Sequence, residues 1–409
     1  MNTYLCSKMY NFNEMSKSIF SKIANLSLII NCFNKLIAVV LMLFMVSITD
    51  AQNFNRKIWN IPNIPGFITL KADLHMHTVF SDGTVWPSFR VEEAWSEGFD
   101  VIAITDHLGH HYKNNVDDDN FNRNYEIAKP IADKLGLILI KGTEITKRMP
   151  YGHFNALFLT DLHKVDKEDY FDALKAAAEQ DAFITWNHPG WKQENDIPIW
   201  DSIHENIYKS GLMNGIEIVN KNYYYPLAFS WANAKNITLM SGSDIHDPAT
   251  AEFDYLSGEH RPMTLIFSKD TSLVEIKNAL LQKRTILYYN DILFGNNELL
   301  TSLFNASINI QNAEFTIDAD SKDNYYNYIR IENKSCFDFD LELAEKDNIL
   351  IVTDKILLKA NTISIINLKP APRDIKGEKE YVLKYKVKNL LKAPDDNIIV
   401  DFPIKITFI

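Results

Sequence analysis

The chain has 409 residues, 46% of them hydrophobic and 23% charged, the composition of an ordinary soluble globular protein. Single cores stop growing near ~250–300 residues, so this length predicts two domains. Its 42 basic residues stand against 53 acidic ones, a net charge of −11 that lacks the basic footprint of a nucleic-acid binder and argues against nucleic acid as the main partner.

At the N-terminus, Lys8, Lys17, Lys22 and Lys35 precede the uncharged run "LIAVVLMLFMVSI" (Leu36–Ile48). "TDAQ" follows, with Thr49 and Ala51 at the small-residue positions of a cleavage site. This layout predicts a secretory signal peptide over residues 1–51 and a secreted or periplasmic mature protein free of the membrane. The alternative is a membrane anchor over Leu26–Ile48, but it would place Asn31, Asn34 and Lys35 within the span. Cleavage removes four lysines and two acids, taking the charge from −11 to about −13. It also removes Cys6 and Cys32, and the remaining Cys336 allows neither an intramolecular disulfide nor a thiolate zinc site.

A short extension, residues 52–67, leads into a region over residues 68–299 in which apolar runs alternate with amphipathic segments. "FITLKADLH", "FDVIAITDH", "LILIKGTE", "HFNALFL", "AFITWNH", "GIEIVN" and "ITLMSGSD" read as strands. Helical spacing appears between several of them, as in Ser88–Glu97, Phe121–Leu135 and Lys167–Gln180. Such alternation predicts parallel strands covered by helices, an α/β barrel or a doubly wound sheet. From about Leu300 the pattern becomes all-β: "SLFNASINI", "AEFTIDAD", "YNYIRIEN", "DFDLELAE", "ILLKANTISIINLK", "YVLKYKVKNLL" and "IIVDFPIKITFI" read as strands of a separate β-sandwich over residues 300–409.

Nearly every strand of the first region carries a metal-ligating residue type at or just beyond one end. In chain order these are His75 and His77, His107, Glu144, His153, His188, Glu217, then Asp244 and His246. Parallel α/β folds gather the carboxyl ends of their strands on one side, so residues far apart in sequence converge there. His153 is the exception, because it opens its strand. Any one of these residues could be a capped loop or a solvated side chain, but six of eleven histidines at strand ends exceed that reading. Nitrogen and oxygen donors without sulfur suit Zn, Mn or Fe, and the set is too large for one tetrahedral ion, so a cluster of metals is expected.

"DLHMHTVFSDG", "AITDH", "GTE", "GHFNAL", "NHPGW" and "GSDIH", in that order, resemble the motifs of the polymerase and histidinol phosphatase (PHP) superfamily. The likeness covers about Ile68 to Leu287, and further stretches resemble a secreted bacterial branch with a C-terminal β domain. It implies a distorted seven-stranded β/α barrel holding two or three divalent ions. Carried over residue by residue, one ion takes His75, His77 and Asp244, a second His153 and His188, and Glu144 bridges the two. A third takes Asp82, His107 and His246; many members have a histidine near position 83, where this chain has Gly83, and Asp82 takes its place.

The chemistry expected of such a site is hydrolysis of a phosphate monoester by a hydroxide bridging the metals, on a small phosphorylated substrate. The alternatives are cleavage of a C–N, cyclic ester or phosphodiester bond, or a non-catalytic protein that binds a surface. His110 and His111 are candidates to protonate the leaving group, and Arg148 to bind phosphate. Asp73 and Asp106 are expected to orient ligand imidazoles, Glu217 and Asn220 to buttress a ligand or touch substrate, and Trp191 to form a pocket wall or core.

Overall fold

The computed structural model describes residues 33–37, 55–108, 116, 119–148, 150–318, 327–371 and 375–409. The expected signal peptide and its cleavage site fall outside these residues, except for one helical turn at 33–37, and so do His110 and His111. Among the described residues no helix is long and apolar enough to cross a membrane.

Eleven strands build the first part of the fold. They are β1 (Ile68–Asp73), β2 (Val101–Ile104), β3 (Ile138–Thr146), β4 (His153–Leu157), β5 (Phe183–Trp186), β6 (Gly215–Asn220), β7 (Tyr223–Tyr224), β8 (Thr238–Gly242), β9 (Met263–Ser268), β10 (Thr285–Tyr289) and β11 (Ile292–Gly295). The runs β2, β4, β5, β6 and β8 are buried at every position, as strands covered on both faces must be. β1, β2 and β3 pair in parallel, β4 runs antiparallel between β3 and β5, and β5, β6 and β8 are again parallel. The chain leaving β8 then bridges the chain leaving β1 at Met76 and Ile245, which closes a ring of the seven expected strands. Reversal of β4 explains why His153 opens its strand: that end lies on the side where the parallel strands finish.

Helices cover the barrel, each with a local reason to start or stop. Pro87 occupies the first turn of Pro87–Ser96, Gly136 ends Arg123–Leu135 in a left-handed conformation, and Asp169 caps Tyr170–Ala178 by accepting from the Asp172 amide. The helices Ser202–Lys209, Pro226–Lys235 and Leu273–Leu281 complete this layer.

One expected strand is corrected. "SLFNASINI" is mostly helix, because Asn296 caps Asn297–Ser307 and Leu299, Leu300, Leu303 and Phe304 recur at helical spacing on its buried side; only Ile308–Ile310 is extended. Beyond it two sheets face each other. Ile308–Ile310, Asn327–Asn333, Thr362–Pro370 and Leu350–Val352 form one, and the other centres on the long hairpin Gly377–Ala393 and Asp396–Phe408. Alternate residues such as Val400, Phe402, Ile404 and Ile406 fill the space between them. The two parts share backbone bonds, since β11 pairs in parallel with Leu390 and Leu391 of that hairpin. Residues from Lys57 to Ile409 accordingly form one compact unit.

Candidate metal centre

Nine side chains meet at the strand ends: His75, His77, Asp82, His107, Glu144, His153, His188, Asp244 and His246. Glu144 lies at their centre, fully buried near the end of β3. Its Oε2 is 3.6 Å from His75 Nε2 and 3.4 Å from His77 Nε2, and the same two nitrogens stand 3.3 and 3.1 Å from Asp244 Oδ1. Four donors bound to one tetrahedral ion at ~2.0–2.1 Å would be separated by about 3.3 Å, so these distances match the edges of a coordination tetrahedron. The other oxygen of Glu144, Oε1, is 3.0 Å from His153 Nδ1 and 3.2 Å from His188 Nε2. The two oxygens thus look into two different donor sets.

Burial makes this arrangement informative. His75 Nε2, His77 Nε2 and Glu144 Oε2 are buried and make no hydrogen bond, a costly state for three polar atoms unless a cation satisfies them together. The tautomers agree: His75 Nδ1–H donates to Glu217 Oε1 at 2.8 Å, which leaves the Nε2 lone pair turned inward. His77 Nδ1 lies 3.3 Å from Ser81 Oγ, whose own hydroxyl donates to Asp106. His246 Nδ1 donates to the Asp244 carbonyl at 2.8 Å, so its Nε2 faces Asp82 Oδ1 at 3.3 Å. His107 stands between the groups, with Nε2 3.5 Å from Asp82 Oδ2 and Nδ1 3.0 Å from Glu144 Oε2.

Charges within the cluster are strongly coupled. Burial works against a charged His75, but Asp244, Glu217 and Glu144 outweigh it and lift its pKa well above the ordinary imidazole value. His107 is likewise raised to about 10, against burial, by Glu144 and Asp82. Burial takes His77 the other way, to about 4, with Asp244 opposing and His107 and His246 repelling its proton. Burial alone would raise the Glu144 carboxyl, yet His107, His153 and His75 hold it well below the usual carboxylate range. Without a metal the cluster balances its carboxylates with protons; a divalent ion would displace them.

Close backbone approach shapes two positions. A Cβ at Gly242 would sit 2.4 Å from Glu217 Oε1 and 2.6 Å from His75 Cβ, so only glycine lets Glu217 reach the imidazole. A Cβ at Gly83 would meet the backbone of His77 and Thr78 at 2.8 Å. Any larger residue there would press on the first histidine pair, and Asp82 presents its carboxylate instead.

Two expectations about supporting groups change. Asp73 touches no imidazole ring; it accepts from the Ser243 amide and hydroxyl and from Arg261, and so fixes the backbone beside both Asp244 and His75. Asp106 binds Thr78, Ser81 and Asn124 and reaches His77 only through Ser81. Glu217 buttresses His75 and also accepts from the His188 amide, and Asn220 in turn donates to Glu217. Glu217→Gln removes the charge that sharpens His75 and is expected to weaken metal retention by roughly 10–100-fold in an equilibrium metal titration. Unaltered affinity would remove Glu217 from the support of the site.

The cluster opens into a cleft of 380 Å³ lined also by Trp191, Lys192, Asp196, Asn220, Lys221, Tyr223 and Tyr225. Trp191 is therefore a wall, its ring 4.6 Å from His153 and 5.4 Å from His188. Arg148 is exposed and is not among the residues that line the cleft, contrary to its expected role; among the described residues the lysines there are Lys192 and Lys221. Sequence reasoning missed both, although Lys221 directly follows β6 and so carries the same strand-end signal as the histidines. His188, Lys192, Asp196, Lys221 and Asp244 all adopt positive φ, a concentration of sparsely populated backbone beside one cleft.

Comparison with known proteins adds three findings. A family model described as an Ig-like domain matches residues 308–403, the second part of the fold. The crystal structure of a two-domain protein from Bacteroides vulgatus, containing a predicted PHP-like metal-dependent phosphoesterase, is 36% identical, with a TM-score of 0.79; the match covers 86% of this chain and 99% of that one. Two more distant structures each have a TM-score of 0.34, too low to bear on function. A candidate metal-dependent phosphoesterase from Bifidobacterium adolescentis is 17% identical over 43% of this chain and 88% of its own. An amidohydrolase from Chromobacterium violaceum with bound sulfate and no metal is 14% identical over 44% and 88%. No curated protein matches the chain.

Proposed function

We propose that this chain, which belongs to the family of two-domain PHP-like proteins, hydrolyses phosphate monoesters at the histidine–carboxylate cluster. One observation carries the reading: three buried, unbonded donor atoms, His75 Nε2, His77 Nε2 and Glu144 Oε2, converge with Asp244 at the spacing of metal ligands. His75, His77, Glu144 and Asp244 would hold one divalent ion, and Glu144, His153 and His188 a second. Asp82, His107 and His246 offer a further set. Bound there, the ions would supply an activated water and Lewis-acid stabilisation of the phosphoryl oxygens.

The chain's own residues set the preference for phosphate. Two divalent ions bring +4 against the two carboxylates Glu144 and Asp244, leaving about +2 for a dianionic phosphoryl group. Lys192 and Lys221 at the rim add positive charge toward which an anion is drawn. Strand-end placement of the buried histidines and carboxylates keeps them preorganised, so little reorganisation is needed as charge develops on the phosphoryl oxygens. Export through the N-terminal segment belongs to the same reading, supported by the lysines before its apolar run.

Purified protein loaded with Mn or Zn is expected to release inorganic phosphate from an aryl phosphate. Failure across a broad panel of phosphomonoesters would overturn the proposal, and cleavage of an amide or cyclic ester without phosphate release would replace it.

A further inference from the structure

The cleft has walls that the metal cluster does not need. Trp191 is 37% exposed and Tyr223 49% exposed, although both sit on well-anchored backbone beside a buried polar site. Strand geometry explains how Tyr223 comes to be there. β6 and β7 form a hairpin pairing Val219 with Tyr224 and Asn220 with Tyr223, and successive side chains of the run Tyr223–Tyr225 take opposite sides. Tyr224 packs on Phe294 at 4.9 Å, while Tyr223 and Tyr225 turn together into the cleft with their rings near parallel, 11° apart. Trp191 is steadied by His153 and His188, with Lys192 Nζ 3.9 Å from its ring centroid. Two large apolar faces held open to solvent next to a reaction centre signal a ligand surface.

Size and polarity narrow the ligand. At 380 Å³ the cleft is near the lower end of ligand sites, room for a phosphate and one ring system. The Asp196 carboxylate can accept from hydroxyl or N–H donors, and the side-chain oxygen of Asn220, whose amide already donates to Glu217, can do the same. Resting on the phosphomonoesterase reading, we infer that the alcohol part of the substrate carries a ring, a sugar or a heteroaromatic base, whose flat face lies on Tyr223 and Trp191 while its phosphate meets the cluster. The shared chemistry is a planar or CH-rich ring face against an aromatic side chain.

The test compares glycerol 3-phosphate, which has no ring, with glucose 6-phosphate and adenosine 5′-monophosphate on the Mn-loaded full chain. The native protein is expected to favour at least one ring substrate in kcat/KM. Tyr223→Ala or Trp191→Ala should lower the ring-to-glycerol ratio roughly three- to tenfold through KM, and Tyr223→Phe should keep it. A preference for the nucleotide would identify a base, and one for the hexose phosphate a sugar. Equal turnover of all three with ratios unmoved by the substitutions would overturn the ring subsite and leave the phosphoesterase reading intact. If no phosphate is released from any of them, titration of the protein with adenosine and with methyl glucoside, followed by tryptophan fluorescence, decides the subsite separately. Saturable quenching that weakens in Tyr223→Ala supports it, and no saturable change overturns it.

Discussion

Glu144→Gln is expected to abolish metal-dependent turnover, by on the order of 10³-fold or more, since the metals are asked for several kcal/mol of transition-state stabilisation. The amide keeps the shape of the side chain but loses the charge that faces five histidines. Both donor sets should empty together, because Oε2 serves His75 and His77 while Oε1 serves His153 and His188. His188→Ala should empty only the second set and still stop turnover. The fold should survive either change. Imidazoles that lose their carboxylate partner in a buried site become neutral, the form that burial already favours. Elemental analysis with circular dichroism checks both points, and a variant of native turnover and metal content would remove the paired site.

The second large effect lies one layer away. Arg90 is fully buried, and its guanidinium donates to the carbonyls of His77, His246 and Asp247 and to Glu93 Oε2. A single side chain therefore ties together the loops after β1 and β8 that carry five of the candidate ligands. Arg90→Met would leave the carbonyls of His77 and Asp247 and the half-buried Glu93 Oε2 without this donor, with only the Thr84 amide left on the His246 carbonyl, which is expected to cost about 3–5 kcal/mol of stability. Arg90→Lys should rescue little, because an ammonium cannot reproduce the planar fork that reaches separate acceptors. Chemical denaturation measures the loss. Unchanged stability would show that these loops are held by their backbone bonds alone.

Most of the site was legible along the chain because its signal is local. A histidine or carboxylate that ends an apolar run is visible without knowing what the strand pairs with, and eight of the nine candidate ligands carry that signal; Asp82 was reached only through the family resemblance. Glu217 carried the same signal. Arg90, Glu252 and Tyr223 did not, since two helix residues and the first of three tyrosines gain meaning only from what they face. Glu252 accepts from the amides of His246 and Asp247, a contact that no spacing rule predicts. Arg148 failed for the converse reason: it lies four residues from Glu144, but the chain turns away after β3 and carries it out of the cleft. In the second part, alternation revealed the long strands but gave the wrong state for 302–307, where apolar residues suit either period and the Asn296 cap decides for helix.

Alternating apolar and amphipathic runs, with ligand types at the strand ends, settled by themselves that this chain builds helix-covered parallel strands with a nitrogen- and oxygen-rich rim, because periodicity and strand polarity are properties of the local backbone; they left barrel and doubly wound sheet equally open. Which donors share an ion, which carboxylate oxygen faces which histidine, and which aromatic rings wall the cleft were decided only by the tertiary structure. Those relations depend on the reversal of β4, on closure between Met76 and Ile245, and on the hairpin after β6. Each joins residues that no local pattern connects.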